Sequence, residues 1–502
     1  MYKSIDDINE RIRDGSVRVV TAEEMPDIVD ELGVSGALRE VDVVTTGTFG
    51  AMCSSGAFLN FGHSEIPIRM EKMWLNGVEA YAGIAAVDCY IGATQESITK
   101  GIEYGGAHVI EDLIAGKAVE LRARGKGTDC YPRQSITNEF TLADLNQAIM
   151  LNPRNSYQCY NAATNMTNRP IKTYMGYLLP GHRNITYSGA GALSPLPNDP
   201  TFSVIGSGTP IFLGGANGTV VGEGTQHSPG AGFGTLMTTG DIKEMSLEYI
   251  RAATMTGYGV TMYVGVGVPI PLLNEDIVKH TAVRDEDLVT SIVDYGTQFR
   301  DRPVVKKVTY QELKSGSVEI DGEEIKTSPL SSYKKAREVA NELKARIENG
   351  SFLMASATRP INAVKKNRPM SEHGVVRRVS EMMVATFVTI TGEKSVKEAA
   401  TLLLKANTNH LPVIDAENRL TGIVTTFDIS KAFARDEEDR SVSNIMTRNV
   451  ITAVPDEPVD LAARRLLQYN IGALVVVDPA KKVLGMLNSQ DLGDLVGERW
   501  HQ

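Results

Sequence analysis

The chain has 502 residues, 42% hydrophobic and 22% charged, a balance typical of folded globular proteins and unlike a disordered chain. Its 51 basic and 61 acidic residues give a net charge of −10, which argues against a nucleic-acid coat or a polybasic membrane binder. No apolar run reaches about 18 residues, and Met1-Tyr2-Lys3-Ser4-Ile5-Asp6-Asp7 lacks the apolar core of a secretory signal, so neither a membrane nor a nucleic acid is expected as partner and the cytoplasm is the expected compartment.

Four cysteines, Cys53, Cys89, Cys130 and Cys159, are too few for a disulfide scaffold. No two form a C-x-x-C pair, so no metal site is expected, and a reducing compartment keeps them as free thiols.

In chain order, Ile8-Arg11-Ile12 and Met25-Ile28-Val29-Leu32 have helical spacing, and Val41 to Thr46 reads as a strand. The first thiol segment follows that strand: Thr48-Phe49-Gly50-Ala51-Met52-Cys53-Ser54-Ser55-Gly56. Its small residues let backbone N–H groups approach the Cys53 sulfur and favour thiolate, and His63 follows ten residues on. Cys89 lies in an apolar stretch, Ile84 to Tyr90, and reads as a core thiol.

Residues Ala118 to Arg124 alternate as a half-buried strand, and a glycine loop carries Gly127-Thr128-Asp129-Cys130-Tyr131-Pro132. Arg122, Arg124, Lys126 and Arg133 all fall within eight residues of Cys130. A nearby cation stabilises thiolate, and thiolate is the useful sulfur nucleophile. The competing reading puts these cations on a solvated strand face, away from the sulfur. Cys159, among aromatic neighbours, reads as structural.

Gly181 to Gly267 is rich in glycine, which predicts short strands with tight turns or backbone held close to a ligand. Within it, Gly230 to Thr235 after His227 is a candidate anion nest, and His182-Arg183 a candidate carboxylate holder. A helix is predicted over 334–349, with Ala336, Val339, Ala340, Leu343 and Ile347 on one stripe and Gly350 closing it. The basic stretch 359–380 reads as a solvated linker.

The C-terminal part repeats at an offset of 63: Thr389 with Thr452, Leu403 with Leu466, Asp415 with Asp478, Asp428 with Asp491. In the first copy Ser395-Val396-Lys397-Glu398 forms a capping box that opens a helix. Two apolar runs, Leu411 to Ile414 and Gly422-Ile423-Val424, follow, then an Asp before a second helix. This tandem βαββα unit resembles a pair of CBS domains, placed at 381–436 and 443–502. In that family the motif seen here as Gly422-Ile423-Val424-Thr425-Thr426-Phe427-Asp428 implies an adenosyl ligand, with Asp428 accepting from ribose hydroxyls and Thr425 at the sugar or phosphate. The second copy keeps Asp491 but has Asn488 where the hydroxyl residue would stand. The ligand implied is S-adenosylmethionine, AMP or ATP.

Residues 1–358 resemble the homocysteine-biosynthesis family of methanogens and other anaerobes, through the Gly50-to-Gly56 and Gly127-to-Pro132 segments. The resemblance implies an L-aspartate semialdehyde sulfurtransferase, with the persulfide-bearing cysteine at Cys130 and a second thiol at Cys53. It also implies a separate ferredoxin-like iron–sulfur protein as electron donor. Aldehyde to homocysteine is replacement of oxygen by sulfur plus a two-electron reduction. A Cys130 persulfide would attack the carbonyl carbon, with Cys53 as resolving thiol or first acceptor of sulfur supplied as sulfide or from another donor. Four cysteines in this pattern form no iron–sulfur cluster motif, so the electrons come from a partner. The expected architecture is therefore α/β: a large glycine-rich mixed catalytic domain followed by a tandem CBS pair, in a homodimer. Two other readings follow from the same residues. One is an adenosyl-sensing scaffold without catalysis. The other is a cysteine dehydrogenase, against which the lack of an eightfold βα pattern counts.

Overall fold

The computed structural model describes residues 2–297, 301–368, 370 and 377–489. Two compact units divide at Arg368, the first ending there and the second starting at the next residue. Among the described residues no helix is long and apolar enough to cross a membrane.

The first unit opens on the helix Ile5–Asp14. The Ser4 side chain and Asp7 form a capping box at its start, and Gly15, with φ 76°, ends it in the left-handed conformation that glycine tolerates best. Ile8 and Ile12, as their spacing predicts, are buried, in a cluster with Val339, Leu343 and Ile347 of the helix Tyr333–Glu348. All five predicted stripe residues of that later helix are buried. The helix Met25–Glu40 runs past its predicted end but is broken at Gly33, whose φ of 67° and ψ of 167° are non-helical.

Among the described residues, three large sheets build most of the unit, beside one three-stranded and two two-stranded sheets. The largest has nine strands, all antiparallel to their neighbours. Its central path runs Ile250–Met255, Gly259–Gly267, Pro210–Leu213, Ala216–Glu223, Leu236–Asp241, Gln147–Asn155, Gly56–Asn60 and Asp88–Gly92. The ninth strand, Thr48–Ala51, pairs with Gly259–Gly267, putting Ala51 opposite Tyr263. The glycine-rich region thus becomes the short strands its composition predicts. A six-stranded antiparallel sheet includes Lys72–Leu75, Val119–Arg124 and Ser135–Phe140. A second six-stranded sheet, of mixed direction, includes Ala162–Thr164, Ile185–Tyr187 and Val289–Asp294.

The first ten residues of the basic stretch 359–380 are bonded into this unit. Arg359–Pro360 pair with Gly206–Ser207, Ile361 joins the main core, and Lys365 pairs with Glu223. The Asn367 N–H donates to Ser228 Oγ at 3.0 Å.

The second unit contains the repeat. Its helices Val396–Ala406 and Val459–Tyr469 both end on a left-handed asparagine, Asn407 and Asn470. Each copy has a three-stranded sheet with a register irregularity at the equivalent place, between Val413 and Ile414 and between Val476 and Val477. The short helix Val379–Met382 precedes the first copy in sequence, yet Val379 is buried in the core of the second copy beside Val459 and Leu466.

Candidate active site

Cys53 sits where a strand of the nine-stranded sheet turns back. After Ala51 the Met52 N–H donates to Met262 O at 2.7 Å, and the Ser55 N–H donates to Met52 O at 3.0 Å. The strand Gly56–Asn60 then departs. A Cβ at Gly56 would run into the Tyr90 ring, so the tight departure needs glycine there. The Cys53 thiol is half-buried, with Sγ 3.1 Å from Thr261 Oγ1. Ser54 Oγ donates to Arg154 O at 3.3 Å and fixes the turn to a neighbouring strand.

Phenols crowd this thiol. Tyr157, Tyr258 and Tyr263 all fall within its electrostatic range. Burial pushes Tyr157 up to about 12 and also raises Tyr258 and Tyr263, so each is a neutral hydrogen-bond donor at ordinary pH. Tyr157 stacks on Phe233, with centroids 5.4 Å apart, and meets Tyr160 edge-on at 5.0 Å. Tyr160 donates to Tyr174 Oη at 3.0 Å, and Tyr174 Oη bonds Tyr295 Oη at 2.7 Å. Behind Met52 a small recess is lined by Thr48, Ser156, Ser188, Ser194 and Ser331. Ser156 is 2% exposed, adopts a left-handed φ of 52°, and its Oγ has no partner among the described residues.

Cys130 lies on the loop between the strands Val119–Arg124 and Ser135–Phe140. Gly125 N–H donates to Gln134 O at 2.9 Å, and Thr128 and Tyr131 exchange backbone hydrogen bonds of 2.9 and 3.0 Å. The thiol is exposed, and among the described residues its sulfur makes no hydrogen bond. The cationic cradle expected around it does not form there. Leu121 and Ala123 take the buried side of the strand, which leaves Arg122 and Arg124 on the exposed side. Arg122 then pairs with Glu120, Lys126 lies 3.5 Å from Glu71, and Arg133 Nε donates to Ser135 O at 3.0 Å. His63 joins this loop rather than Cys53: its ring stacks on Tyr131 with centroids 6.0 Å apart.

The two thiol segments occupy opposite ends of one strand. Gly56–Asn60 begins at the Cys53 turn, and the chain leaving its far end packs along the Cys130 loop, where Arg133 N–H donates to Pro67 O at 3.3 Å. Five strand residues span roughly 16 Å. Neither sulfur hydrogen-bonds the other, and both thiols are free.

The other sequence candidates sort clearly. Cys89 is fully buried, and burial pushes its thiol up to about 12. Cys159 is half-buried, and burial raises it too. The Gly230–Thr235 segment is not an anion nest, because protein acceptors already hold its N–H groups: Gly230 N–H donates to Lys365 O at 3.1 Å and Gly234 N–H to Gln158 Oε1 at 3.1 Å. His227 is a structural latch, with Nε2 3.0 Å from Asn362 O. In the turn at His182, Arg183 Nε donates to Pro180 O at 3.1 Å.

In the second unit Thr425 and Asp428 come together at the start of the helix Thr426–Phe433. Thr425 donates to Asp428 Oδ2 through its N–H at 3.0 Å and its hydroxyl at 2.7 Å. Gly422 lies in the adjoining strand Leu420–Thr425. A cavity of about 330 Å³ beside Thr426 is lined by Leu403, Leu404, Asn407, Thr408 and Ile429. Asp491 lies outside the described residues.

A mixed α/β unit followed by a duplicated strand–helix unit defines an enzyme domain carrying a CBS pair; residues 379–435 and 442–497 match the CBS domain. The chain belongs to the family described as homocysteine biosynthesis enzyme, sulfur-incorporation, whose model matches residues 17–354. It is 54% identical over 498 residues to the L-aspartate semialdehyde sulfurtransferase of Methanosarcina acetivorans, covering 99% of each chain. It is 52% identical over 512 residues to the protein of the same name from Methanocaldococcus jannaschii, again covering 99% of each. Among solved structures, a CBS domain pair in complex with 5′-methylthioadenosine and S-adenosyl-L-methionine is 40% identical, with a TM-score of 0.24, covering 25% of this chain and 98% of that one. Sequence reasoning missed Thr261, Tyr157 and Tyr258 as neighbours of Cys53, which no motif links; the tertiary fold brings them there.

Proposed function

We propose that this chain makes L-homocysteine from L-aspartate semialdehyde, with sulfur carried as a cysteine persulfide. One observation carries the reading: relatives named for that activity align with 99% of the chain at 54% and 52% identity.

Cys130, exposed on its loop, is the thiol that a sulfur donor meets first; its thiolate attacks the terminal sulfur of a sulfane donor such as polysulfide, the donor's sulfur–sulfur bond breaks, and the shortened polysulfide leaves with that electron pair. The Cys53 thiolate attacks the outer sulfur; the Cys130 sulfur–sulfur bond breaks, a new one forms on Cys53, and Cys130 departs as thiolate. A homodimer that brought one protomer's exposed loop to its partner's Cys53 turn would bridge the separation of the two segments within one chain. The Cys53 persulfide then adds to the aldehyde carbon, and neutral phenols donate to the oxyanion that develops. Two electrons cleave the sulfur–sulfur bond and free a hydroxythiol, which loses water to a thioaldehyde. Two further electrons and two protons give the thiol. Counted from the sulfane sulfur, the demand is four electrons: two cleave the sulfur–sulfur bond and two reduce the thioaldehyde. A ferredoxin-like iron–sulfur protein is the donor.

At the CBS pair, Thr425 and Asp428 bind an adenosyl compound: S-adenosylmethionine, AMP or ATP. S-Adenosylmethionine is favoured, because it is made from the product's methylated form and so reports on product supply. Asp428→Ala is expected to abolish its binding in calorimetry; undiminished binding would refute this assignment.

The main test supplies aspartate semialdehyde, polysulfide as sulfane donor and a reduced iron–sulfur donor, and measures homocysteine. Wild type forms it, while Cys130→Ala and Cys53→Ser do not. Intact mass of Cys53→Ser after sulfur loading shows one extra sulfur, located on Cys130. No product from wild type would overturn the reading, and full activity in Cys130→Ala would overturn the persulfide assignment.

A further inference from the structure

Three segments meet at the rim of the phenol cluster. The hairpin of Ile171–Thr173 and Gly176–Leu178 carries Tyr174 at its tip. The turn between Ile250–Met255 and Gly259–Gly267 carries Tyr258. The chain after Val289–Asp294 carries Tyr295 and returns to that strand at Pro303, whose carbonyl accepts from the Asp294 N–H at 3.0 Å. Tyr174 lies between the other two rings, with centroids 6.1 Å from Tyr258 and 5.9 Å from Tyr295.

Arg302 sits on this rim. Its guanidinium carbon is 4.4 Å from the Tyr295 ring centroid and 5.8 Å from that of Tyr174, and Nη1 donates to Tyr174 Oη at 3.1 Å. The residue adopts a left-handed φ of 49°. Among the described residues it meets no carboxylate, and Nε and Nη2 make no hydrogen bond. Asp294 does not neutralise it: Oδ1 accepts from the N–H groups of Met166, at 3.1 Å, and Gly296, at 2.7 Å. Lys172 packs against Gly257 on one side of the Tyr258 turn, with no ion pair among the described residues, while Glu96 reaches the other side at Gly259. Tyr258 lies within electrostatic range of both Cys53 and Arg302.

A guanidinium pinned by aromatic faces, with one edge free, is the usual recognition group for a carboxylate. Building on the sulfur-transfer reading, we propose that Arg302 anchors the substrate's α-carboxylate through Nε and Nη2. The aldehyde carbon, roughly 4 Å from the carboxylate carbon in an extended chain, is then directed across Tyr258 toward Cys53. Arg302 is thus a specificity residue that distinguishes an amino-acid aldehyde from a plain amino aldehyde.

The test uses the full chain and Arg302→Gln. With aspartate semialdehyde, Arg302→Gln is expected to raise KM about 30-fold while changing kcat less than about threefold. With 3-aminopropanal, which lacks the carboxylate, wild type and variant should have the same kcat/KM. Equal losses on both substrates would mean that Arg302 only props the tyrosines, and an unchanged KM would also overturn the proposal. A second readout needs no turnover: calorimetry with L-homoserine, which keeps the carboxylate and has no aldehyde. Binding to wild type, lost in Arg302→Gln at an unchanged melting temperature, supports the anchor. Equal binding to both proteins, or none to wild type, overturns it. An absence of homocysteine formation by wild type would count against the sulfur-transfer reading instead.

Discussion

The four thiols should differ in reactivity by orders of magnitude, and the largest gap is set by Cys89. Burial pushes that thiol from an ordinary 9.0 to about 12. Near pH 8 a shift of that size lowers the thiolate fraction about 10³-fold. The more basic thiolate is intrinsically more nucleophilic, which returns roughly 20–30-fold and leaves a deficit of about 30–50-fold. Cys89 is also 0% exposed, so labelling requires local opening; even about 3 kcal/mol of opening free energy adds roughly 150-fold. Opening also removes the burial that raised the thiol, so the two factors do not multiply, and native Cys89 is expected to react with iodoacetamide at least about 10² times more slowly than the same cysteine in unfolded chain. Cys130, exposed on its loop, should react within about tenfold of its unfolded rate. Timed quenching, peptide mass spectrometry and a denatured control give all four ratios. Cys89 labelled within tenfold of its unfolded rate would refute the burial argument. A Cys130 as protected as Cys89 would refute its role as the accessible sulfur carrier.

His108 gives a pH signature. Its Nδ1 accepts the Gly105 N–H at 3.1 Å at the start of the helix Gly106–Ile114, and burial holds its pKa below the ordinary histidine value. The fold therefore favours neutral imidazole: this contribution is complete above about pH 6.5 and is lost as pH falls below it. Hydrogen exchange over residues 105–114, corrected for intrinsic rates, should accelerate about fivefold at pH 5.5, and His108→Asn should abolish that pH dependence; an unchanged acceleration in the variant would count against it. Tyr174→Phe removes the acceptor of the buried Tyr160 hydroxyl and should lower unfolding stability by about 1–3 kcal/mol, measured in denaturant against exposed Tyr177→Phe as control. A chain ending at Arg368 should fold with an unchanged melting temperature for the first unit. One ending at Met354 loses the buried Ile361 and the His227–Asn362 bond and should melt several degrees lower.

Local rules wrote much of this molecule into its sequence. Ser4 with Asp7 and Ser395 with Glu398 cap helices as their spacing requires, because a cap is satisfied within four residues. The buried stripe of Tyr333–Glu348 and the 63-residue repeat are legible for the same reason: both are periodicities along the chain. Family membership was legible in two thiol segments, and so was the inertness of Cys89, since an apolar neighbourhood in sequence became one in space.

What the sequence did not decide is where each group meets its partner across the fold. Two cations near Cys130 in sequence, Arg122 and Lys126, meet carboxylates instead, and Arg133 meets a backbone carbonyl, because the strand and its neighbours set their direction. His63 follows Cys53 in the chain yet stacks beside the Cys130 loop, since one strand carries it away. Val379 precedes the first repeat and is buried in the second. Thr261 reaches Cys53 from 208 residues away, and Arg302 reaches Tyr174 from 128. Antiparallel register and the closing of long loops made those contacts, and neither leaves a local pattern to read.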